Sequence, residues 1–401
     1  MPSDYVVQRG DTLTRIAQRN GLTLTELAAA NPQLNTADLL HPGQVIRIPD
    51  AMPRRYVIQP GDTFYDIAKR FNVKVQDLQT LNPGVRPERL FIGQTIVLPV
   101  SKGEFIVDTT IPYGFQELSA DLRQLAARYS FLETVIIGYS VLNKPIYAVK
   151  LGGGPNIIHY NGSIHANEWI TASMLMKFIE DFSSAYTTGR TFKGKDTRRL
   201  FQATSLWIAP MLNPDGVELV QEGPDPRSPQ YRQLLEWNNG SYNFSGWKAN
   251  IRGVDLNDQF PAHWEEEKAR RGTAGPGPRD YPGTAPLTEP EVKALAAFTR
   301  NNPFRQVIAF HTQGEEIYYT YRGLQPPEST DIANRYSRVS GYTPIDLSES
   351  DAGYKDWFIQ DFRRPGFTIE SGKGVNPLPI TDFPAIYDRT VGIMLEGMEP
   401  I

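Results

Sequence analysis

The pattern of apolar and polar positions divides the chain into a repetitive first part and a longer part without repeats. In residues 5–49 a short alternating run precedes two helical patterns and a second apolar run, and residues 56–99 repeat this order. Self-similarity at a fixed period indicates a small supersecondary unit. Each unit is predicted to fold as strand, helix, helix and strand, with Thr12 and Thr63 capping the first helix.

From about residue 104, helical patterns alternate with strand-like apolar runs. The runs "NIIHYNGSI" and "QVIAFHTQ" are almost continuously apolar, whereas "FQELSADLRQLAARYS" has the period of an amphipathic helix. Continuously apolar strands that alternate with helices favour an α/β domain with a mainly parallel or mixed central sheet. The predicted domains are residues 1–50, 54–100 and 104–401.

Composition and charge exclude several classes of protein. The 401 residues carry a net charge of −4, so no basic surface for nucleic acid is indicated. No apolar run is long enough to predict a transmembrane helix, and the first residues lack the basic and apolar pattern of a signal peptide. The absence of cysteine excludes disulfides and thiol catalysis, which leaves His, Asp and Glu as the ligands of any metal.

The segment "NGSIHANEW" places His165 and Glu168 at the predicted junction between a buried strand and a helix. A spacing of three residues brings two side chains to the same side of one helical turn. Such a pair by itself is more often a surface pair than a metal site, but its position at a strand end favours a metal site. A hydrolytic zinc site has three protein ligands and one open position, so a third ligand is expected elsewhere.

The third ligand must come from the remaining histidines. His311 ends the apolar run "QVIAFH" and is the favoured candidate, because it also stands at a strand end. His159 lies in the middle of a predicted strand, which is more typical of a hydrogen-bonded core histidine. His263 is on a predicted loop and His41 is in the first repeat, so both are weaker candidates.

The two repeats resemble LysM modules. Both contain "GDT", "NP" and "GQ" at matching positions and end in an apolar run closed by proline, so the resemblance covers each unit nearly end to end. It implies two small βααβ folds that bind N-acetylglucosamine-containing glycan in a shallow groove. The alternative is that the repeats are only stabilising appendages.

The second part resembles the zinc carboxypeptidase-like peptidases of the M14 family. The motifs "NGSIHANEW", "APMLNPDGVEL", "RGVDLNDQFP", "AFHTQGEEIYY" and "PGFTIESGKG" occur in the order found in that family. The resemblance covers essentially all of residues 105–401. It implies a carboxypeptidase-like mixed sheet flanked by helices.

The same resemblance implies a catalytic site. It places one zinc ion per chain on three residues, His165, Glu168 and His311. It makes Glu370 of "TIESG" the general base, whose structural alternative is a simple ion pair with Lys373. The cation that stabilises the oxyanion is either Lys248, by strict alignment, or Arg252 further along the chain.

The substrate-binding residues depart from the family pattern. Where family exopeptidases carry an Asn–Arg pair, this chain has Asn257 followed by Asp258. An acid at that position is expected to repel a free α-carboxylate, which makes carboxypeptidase activity doubtful. Asp258 is instead expected to favour an amine or an amide.

A second departure lies in the segment "LSESDAGYKDWF". Ser348 stands at the position of a family tyrosine that covers the substrate, and Lys355 stands near the base of the specificity pocket. The hypothesis is that Lys355, Arg363 or Arg364 binds the side-chain carboxylate of meso-diaminopimelate. The alternative is that these residues are surface charges.

Joined to two LysM modules, the peptidase resemblance implies a zinc-dependent peptidoglycan hydrolase. It is expected to cleave the bond between γ-D-glutamate and a diamino acid, meso-diaminopimelate or lysine, in stem peptides. The expected location is the bacterial cell wall or another extracytoplasmic site, spores included. The alternatives are a metallocarboxypeptidase or amidase acting on free muropeptides or peptides, and a wall-binding protein without catalysis.

Overall fold

The structure is a computed structural model and divides into two compact units. It describes residues 3–7, 31, 40, 44–48, 54–59, 61–70, 75–82, 84–98, 105–346 and 350–400. One unit comprises residues 1–111 and 116–129, and the other comprises residues 112–115 and 130–401. The domain boundaries expected from the sequence stay a prediction.

The first unit contains the repeats. Its strands form two antiparallel pairs, β1 (Ser3–Val6) with β2 (Val45–Ile48) and β3 (Arg54–Val57) with β4 (Thr95–Leu98). Between β3 and β4 lie α1 (Phe64–Arg70) and α2 (Val75–Leu81), which gives the predicted βααβ order in the second repeat. The helices expected in the first repeat, with the cap at Thr12, lie outside the described residues. Helix α3 (Phe115–Arg128) follows the repeats.

Local hydrogen bonds define the helices of the second repeat. The Thr63 hydroxyl oxygen accepts a hydrogen bond from the Asp66 backbone N–H at 3.1 Å, which is the predicted cap of α1. The Asn82 side-chain amide donates to the Leu78 carbonyl at 2.8 Å, directly after the end of α2. The buried core of this repeat comprises Ile58, Phe64, Ile67, Ala68, Leu78 and Ile96.

The second unit is built on one large mixed sheet. Its strands are β5 (Glu133–Tyr139), β6 (Pro145–Leu151), β7 (Asn156–Gly162), β8 (Thr191–Phe192), β9 (Lys195–Asp196), β10 (Thr204–Ala209), β11 (Gln306–His311), β12 (Glu316–Tyr318), β13 (Thr343–Ile345) and β14 (Gly366–Glu370). Strands β8 and β9 form a separate hairpin, and the others form a sheet in the order β13-β12-β14-β11-β7-β10-β6-β5. The predicted mixed sheet is confirmed.

Helices flank this sheet. They are α4 (Ile170–Thr188), α5 (Thr197–Ala203), α6 (Pro214–Glu222), α7 (Tyr231–Trp237), α8 (Trp264–Arg271), α9 (Pro290–Asn301), α10 (Glu328–Ser340), α11 (Tyr354–Phe362) and α12 (Phe383–Gly397). Three short 3₁₀ turns span Ala166–Glu168, Leu256–Asp258 and Ile380–Asp382. Among the described residues, no helix has the length and apolar character needed to cross a membrane.

The four central strands β14, β11, β7 and β10 run parallel to one another. Parallel strands bring their carboxyl ends to the same edge of a sheet, and open α/β sheets bind ligands at that edge. His311 and Glu370, the last residues of β11 and β14, are partners in the strand register. The loop after β7 carries His165, so the residues singled out in the sequence meet at one edge.

His159 is confirmed as a core histidine in the middle of β7. Its ring is fully buried, its Nδ1 lies 3.2 Å from the Trp207 carbonyl oxygen, and it stacks on Phe304 with ring centroids 5.1 Å apart. Burial lowers the pKa of His159 to about 3, because the charged imidazolium loses its hydration there.

The neutral His159 makes stability depend on pH. Because its folded-state pKa lies below the ordinary value of about 6.5, the unfolded chain binds a proton that the folded chain does not. The free energy of unfolding should therefore fall as the pH decreases from about 6.5 towards 3, by up to about 1.4 kcal/mol per pH unit from this residue.

Urea unfolding between pH 7 and pH 5 measures this contribution. His159→Gln, which keeps an N–H donor for the Trp207 carbonyl, should lower the starting stability but flatten the decline. His263→Gln, which removes an exposed imidazole, should keep the wild-type decline. Equal slopes in wild type and His159→Gln would show that His159 does not stay neutral in the fold.

Candidate metal centre

The loop between β7 and α4 holds His165 and Glu168 in a fixed conformation. A Cβ added at Gly162 would lie 2.9 Å from Thr171 Oγ1, so this position requires glycine. The Ser163 backbone N–H donates to Thr171 Oγ1 at 2.7 Å, and the Thr171 hydroxyl donates to the Glu168 carbonyl at 2.8 Å. The start of α4 therefore anchors the 3₁₀ turn that presents both side chains.

Three side chains converge at the carboxyl edge of the sheet. His165 Nδ1 lies 2.9 Å from Glu168 Oε1, and His311 Nδ1 lies 3.0 Å from Glu168 Oε2. The two Nδ1 atoms are 3.1 Å apart. All three residues are buried, and their ligand atoms lie within 4.8 Å of one another.

The chemistry of this cluster fits a zinc ion. Two imidazoles and one carboxylate are a donor set typical of catalytic zinc, which keeps a further position open. Although burial alone would raise the pKa of Glu168, the adjacent His165 and His311 hold it below its ordinary value, so the carboxylate stays charged. His165 Nε2 lies 3.2 Å from Asp255 Oδ1, an arrangement that keeps the ring proton on Nε2 and leaves Nδ1 free as a ligand.

Glu370 stands beside the metal ligands at the end of β14. It is the register partner of His311 on one side and of Glu316 on the other. Burial raises the pKa of Glu370 to about 8, and the positive charge of His311 partly opposes this shift. A carboxyl group with a pKa near neutrality can both accept and return a proton, as a general base must.

Lys248 and Arg252 occupy very different environments. The Lys248 ammonium lies 2.9 Å from Asp255 Oδ2, and its side chain is only 15% exposed. The Lys248 carbonyl accepts a hydrogen bond from Ala166 N–H at 3.0 Å, which ties it to the turn that bears Glu168. The Arg252 side chain is 54% exposed and lies 3.6 Å from Glu289. The fold therefore brings Lys248 to the metal centre and leaves Arg252 at the surface.

Two residues that position the site do not stand out in the sequence. Asp255 contacts both His165 and Lys248, and its carboxylate is fully buried. Asn213, in the turn-like "NPDG" motif, donates from its side chain to the carbonyls of Ile164 at 3.2 Å and Ala249 at 3.1 Å. Asp255 lies in the motif "RGVDLNDQFP" and Asn213 in the motif "APMLNPDGVEL", but neither motif indicates the partner of the residue.

Comparison with known proteins places this geometry in a family. The family model described as "Zinc carboxypeptidase" (Peptidase_M14) matches residues 118–376, and the LysM domain model matches residues 5–49 and 56–99. The chain belongs to the M14 zinc carboxypeptidase family. It is a zinc-dependent metallopeptidase preceded by two LysM domains, as the sequence predicted.

Similar proteins support this assignment. Gamma-D-glutamyl-L-diamino acid endopeptidase 1 of Lysinibacillus sphaericus is 46% identical over 395 residues, covering 85% of this chain and 99% of that protein. Carboxypeptidase B2 of Rattus norvegicus is 27% identical over 266 residues, covering 60% and 57%. The structure of bovine thrombin-activatable fibrinolysis inhibitor superimposes with a TM-score of 0.57 at 20% identity, covering 72% of this chain and 97% of that one, which shows the shared fold.

In this M14 peptidase the acidic residue at position 258, Asp258, forms an ion pair with Arg271. Asp258 ends the 3₁₀ turn next to the metal centre, and its Oδ1 accepts a hydrogen bond from Arg271 Nη2 at 3.0 Å. Burial and the charge of Asp255 raise the pKa of Asp258 to about 7. Asn257 accepts a hydrogen bond from the Tyr354 N–H at 3.3 Å. The pairing with Arg271 was missed because α8 lies outside every recognised motif.

The three basic residues considered for carboxylate binding, Lys355, Arg363 and Arg364, lie at opposite edges of the sheet. Lys355 is in the first turn of α11, where its buried ammonium donates to the Thr320 carbonyl at 2.7 Å and contacts Asp356. Arg363 and Arg364 precede β14, and Arg364 donates to the carbonyl of Phe304, which precedes β11. Because β14 and β11 both end at the metal centre, the two arginines lie at the far edge, and only Lys355 lies at the near one. Ser348 lies outside the described residues.

Removing a ligand or its support should reduce zinc binding by different amounts. His311→Ala should abolish stoichiometric zinc, whereas Asp255→Ala should weaken zinc affinity about 10–100-fold because it only orients His165. Zinc content and competition with a chromophoric chelator measure both effects. His263→Ala, a histidine outside the cluster, should keep one zinc ion per chain, and tight zinc binding by His311→Ala would rule out this ligand set.

Proposed function

We propose that this M14 peptidase hydrolyses the γ-D-glutamyl–diamino acid bond of peptidoglycan stem peptides, with meso-diaminopimelate or lysine as the diamino acid. One observation supports this above all: the metallopeptidase site and both LysM domains lie in a chain similar, over nearly its whole length, to a relative named for that activity. The similarity covers 85% of this chain and 99% of that relative, so the same class of substrate is expected.

The residues at the sheet edge divide the chemistry among them. His165, Glu168 and His311 would hold the zinc ion. When bound, the zinc ion would act as a Lewis acid and lower the pKa of water towards neutrality. Glu370 accepts the proton of the attacking water and returns it to the leaving amine, which its raised pKa favours.

Lys248 is the proposed donor to the carbonyl oxygen. Although burial alone would lower its pKa, the charges of Asp255, Asp258 and Glu168 raise it, so the ammonium stays protonated. A fixed cation stabilises the negative charge that develops on that oxygen. Arg252 is not needed for this role, because its side chain points to solvent and towards Glu289.

The LysM domains would hold the enzyme on N-acetylglucosamine-containing glycan. A tether raises the local concentration of stem peptides without altering the catalytic site. We therefore expect the proposed activity at the bacterial cell wall or another extracytoplasmic site, spores included.

Two alternative functions would require different residues at the metal centre. A carboxypeptidase or amidase would act on free muropeptides or peptides, and Asp258 stands where exopeptidases of the family carry an arginine. A wall-binding protein without catalysis would not need a buried His–Glu–His cluster beside Glu370. The endopeptidase therefore accounts for more of the observed residues.

Mass spectrometry of purified muropeptides incubated with the zinc-loaded protein tests the proposal. One product should end in γ-D-glutamate and the other should begin with the diamino acid. Glu370→Gln should lower kcat about 10²–10⁴-fold, because the general base is lost, while zinc content stays the same.

Glu315→Gln is the matched control. Glu315 is also a carboxylate near this edge, but it pairs with Lys373 and Arg389. The Glu315→Gln variant should keep its kcat within a small factor of the wild-type value. With a stem peptide that continues beyond the diamino acid, release of only the last residue would favour the carboxypeptidase. No cleavage by zinc-loaded protein would favour the binding protein.

A further inference from the structure

Arg271 reaches the metal centre from α8, a helix that none of the catalytic motifs includes. Its Nε lies 2.8 Å from Asp258 Oδ2, and its Nη2 donates to Asp258 Oδ1 at 3.0 Å, so the guanidinium faces the carboxylate side-on. The Asp258 side chain is 3% exposed, whereas that of Arg271 is 30% exposed. Arg271 is thus the accessible member of the pair, with Asp258 beneath it.

The 3₁₀ turn Leu256–Asp258 brings the Asp258–Arg271 pair close to the reacting groups. Residues three apart eclipse one another in a 3₁₀ turn, so Asp258 lies on the same face as Asp255, the residue that caps the turn. Asp255 contacts His165 and Lys248. Asp258 and its partner Arg271 therefore lie beside the groups that are proposed to act on the scissile carbonyl.

The turn that carries Asp258 also contacts the start of α11. Asn257, within the same turn, accepts a hydrogen bond from Tyr354 N–H at the start of α11. Helix α11 packs against β14, the strand that ends in Glu370. The turn therefore extends from Lys248 towards the strand of Glu370, the residue that returns a proton to the leaving amine.

Arg271 keeps hydrogen-bonding capacity for a ligand. A guanidinium has five N–H donors. Within the part of the chain that the structure describes, Nη2 donates to Asp258 Oδ1 and Nη1 donates to Asp280 Oδ1 at 3.4 Å. The buried Nε lies 2.8 Å from Asp258 Oδ2 and 2.7 Å from Glu267 Oε1 but makes no hydrogen bond. Two N–H groups remain on a side chain that is partly open to solvent.

Three carboxylates contact Arg271, of which Glu267 and Asp280 are each shared with another arginine. Glu267 also pairs with Arg270, and the Asp280 contact is long. By contrast, the Lys355 ammonium is buried between Asp356 and the Thr320 carbonyl, so its charge is already matched.

We propose that Arg271 is the specificity-determining residue that binds a carboxylate of the diamino acid leaving the scissile bond, and that Asp258 positions it. A planar guanidinium with two free N–H groups matches a carboxylate better than an ammonium does. A diamino acid can present this group as its α-carboxylate or, in diaminopimelate, as its side-chain carboxylate. The inference rests on the proposed function, because it names the residue that recognises that substrate.

Steady-state kinetics of the full, zinc-loaded chain on four synthetic peptides tests this. Each peptide is L-Ala-γ-D-Glu joined to meso-diaminopimelate, to its α-amide, to its side-chain amide, or to lysine. Wild type should cleave meso-diaminopimelate with a higher kcat/KM than one of the two amides, and that amide identifies the carboxylate. Arg271→Gln should lower kcat/KM about 10–100-fold for peptides that carry this carboxylate and leave the matching amide nearly unchanged.

Arg271→Lys should restore part of the selectivity, because it returns the charge without the planar donors. Arg270→Gln is the matched control: it removes a neighbouring arginine of α8 that pairs with Glu267 and Asp351, and it should affect all four peptides equally.

Three outcomes overturn the inference. Arg271→Gln could change all four peptides by one factor, which is the result of a purely structural ion pair. Lys355→Ala could remove the selectivity while Arg271→Gln keeps it, which would move the carboxylate site to Lys355. Failure of wild type to cleave any of the peptides would instead overturn the proposed function, and this assignment with it.

Discussion

Parallel pairing of β7, β11 and β14 is the constraint on which the site depends. It brings the loop after β7, the last residue of β11 and the last residue of β14 to one edge of the sheet. Without that alignment, His165, His311 and Glu370 would be far apart, since almost 150 residues separate the two histidines. The sheet is buried under helices on its faces, so this edge is where polar side chains can reach a ligand.

Burial of so many charges at one edge requires each to be matched. Glu168 faces two imidazoles, Asp255 joins His165 to Lys248, and Arg271 lies against Asp258. An unpaired charge at such depth would be strongly destabilising, whereas a paired one is held in place. The same pairing that makes burial tolerable fixes the orientation of each group, so stability and reactivity have one physical origin here.

The sequence predicted the parts of this arrangement that have local signals. The strand-end positions of His165 and His311, the core position of His159 and the cap at Thr63 all follow from patterns within a few residues. The choice between Lys248 and Arg252 has no local signal, because it depends on which side chain the fold turns towards Asp255. The same holds for Arg271, whose partner is thirteen residues away in another element, and for Arg363 and Arg364, whose strand direction takes them to the far edge.

The central claim is that two imidazoles and one carboxylate from this edge bind a single zinc ion. X-ray absorption spectroscopy at the zinc edge tests it most directly, because imidazole rings give a distinct multiple-scattering pattern. The account predicts two imidazoles in the wild-type protein, whereas His165→Ala, like His311→Ala, should retain no stoichiometric zinc. A wild-type spectrum with one imidazole or none, or a spectrum unchanged by His165→Ala, would contradict it.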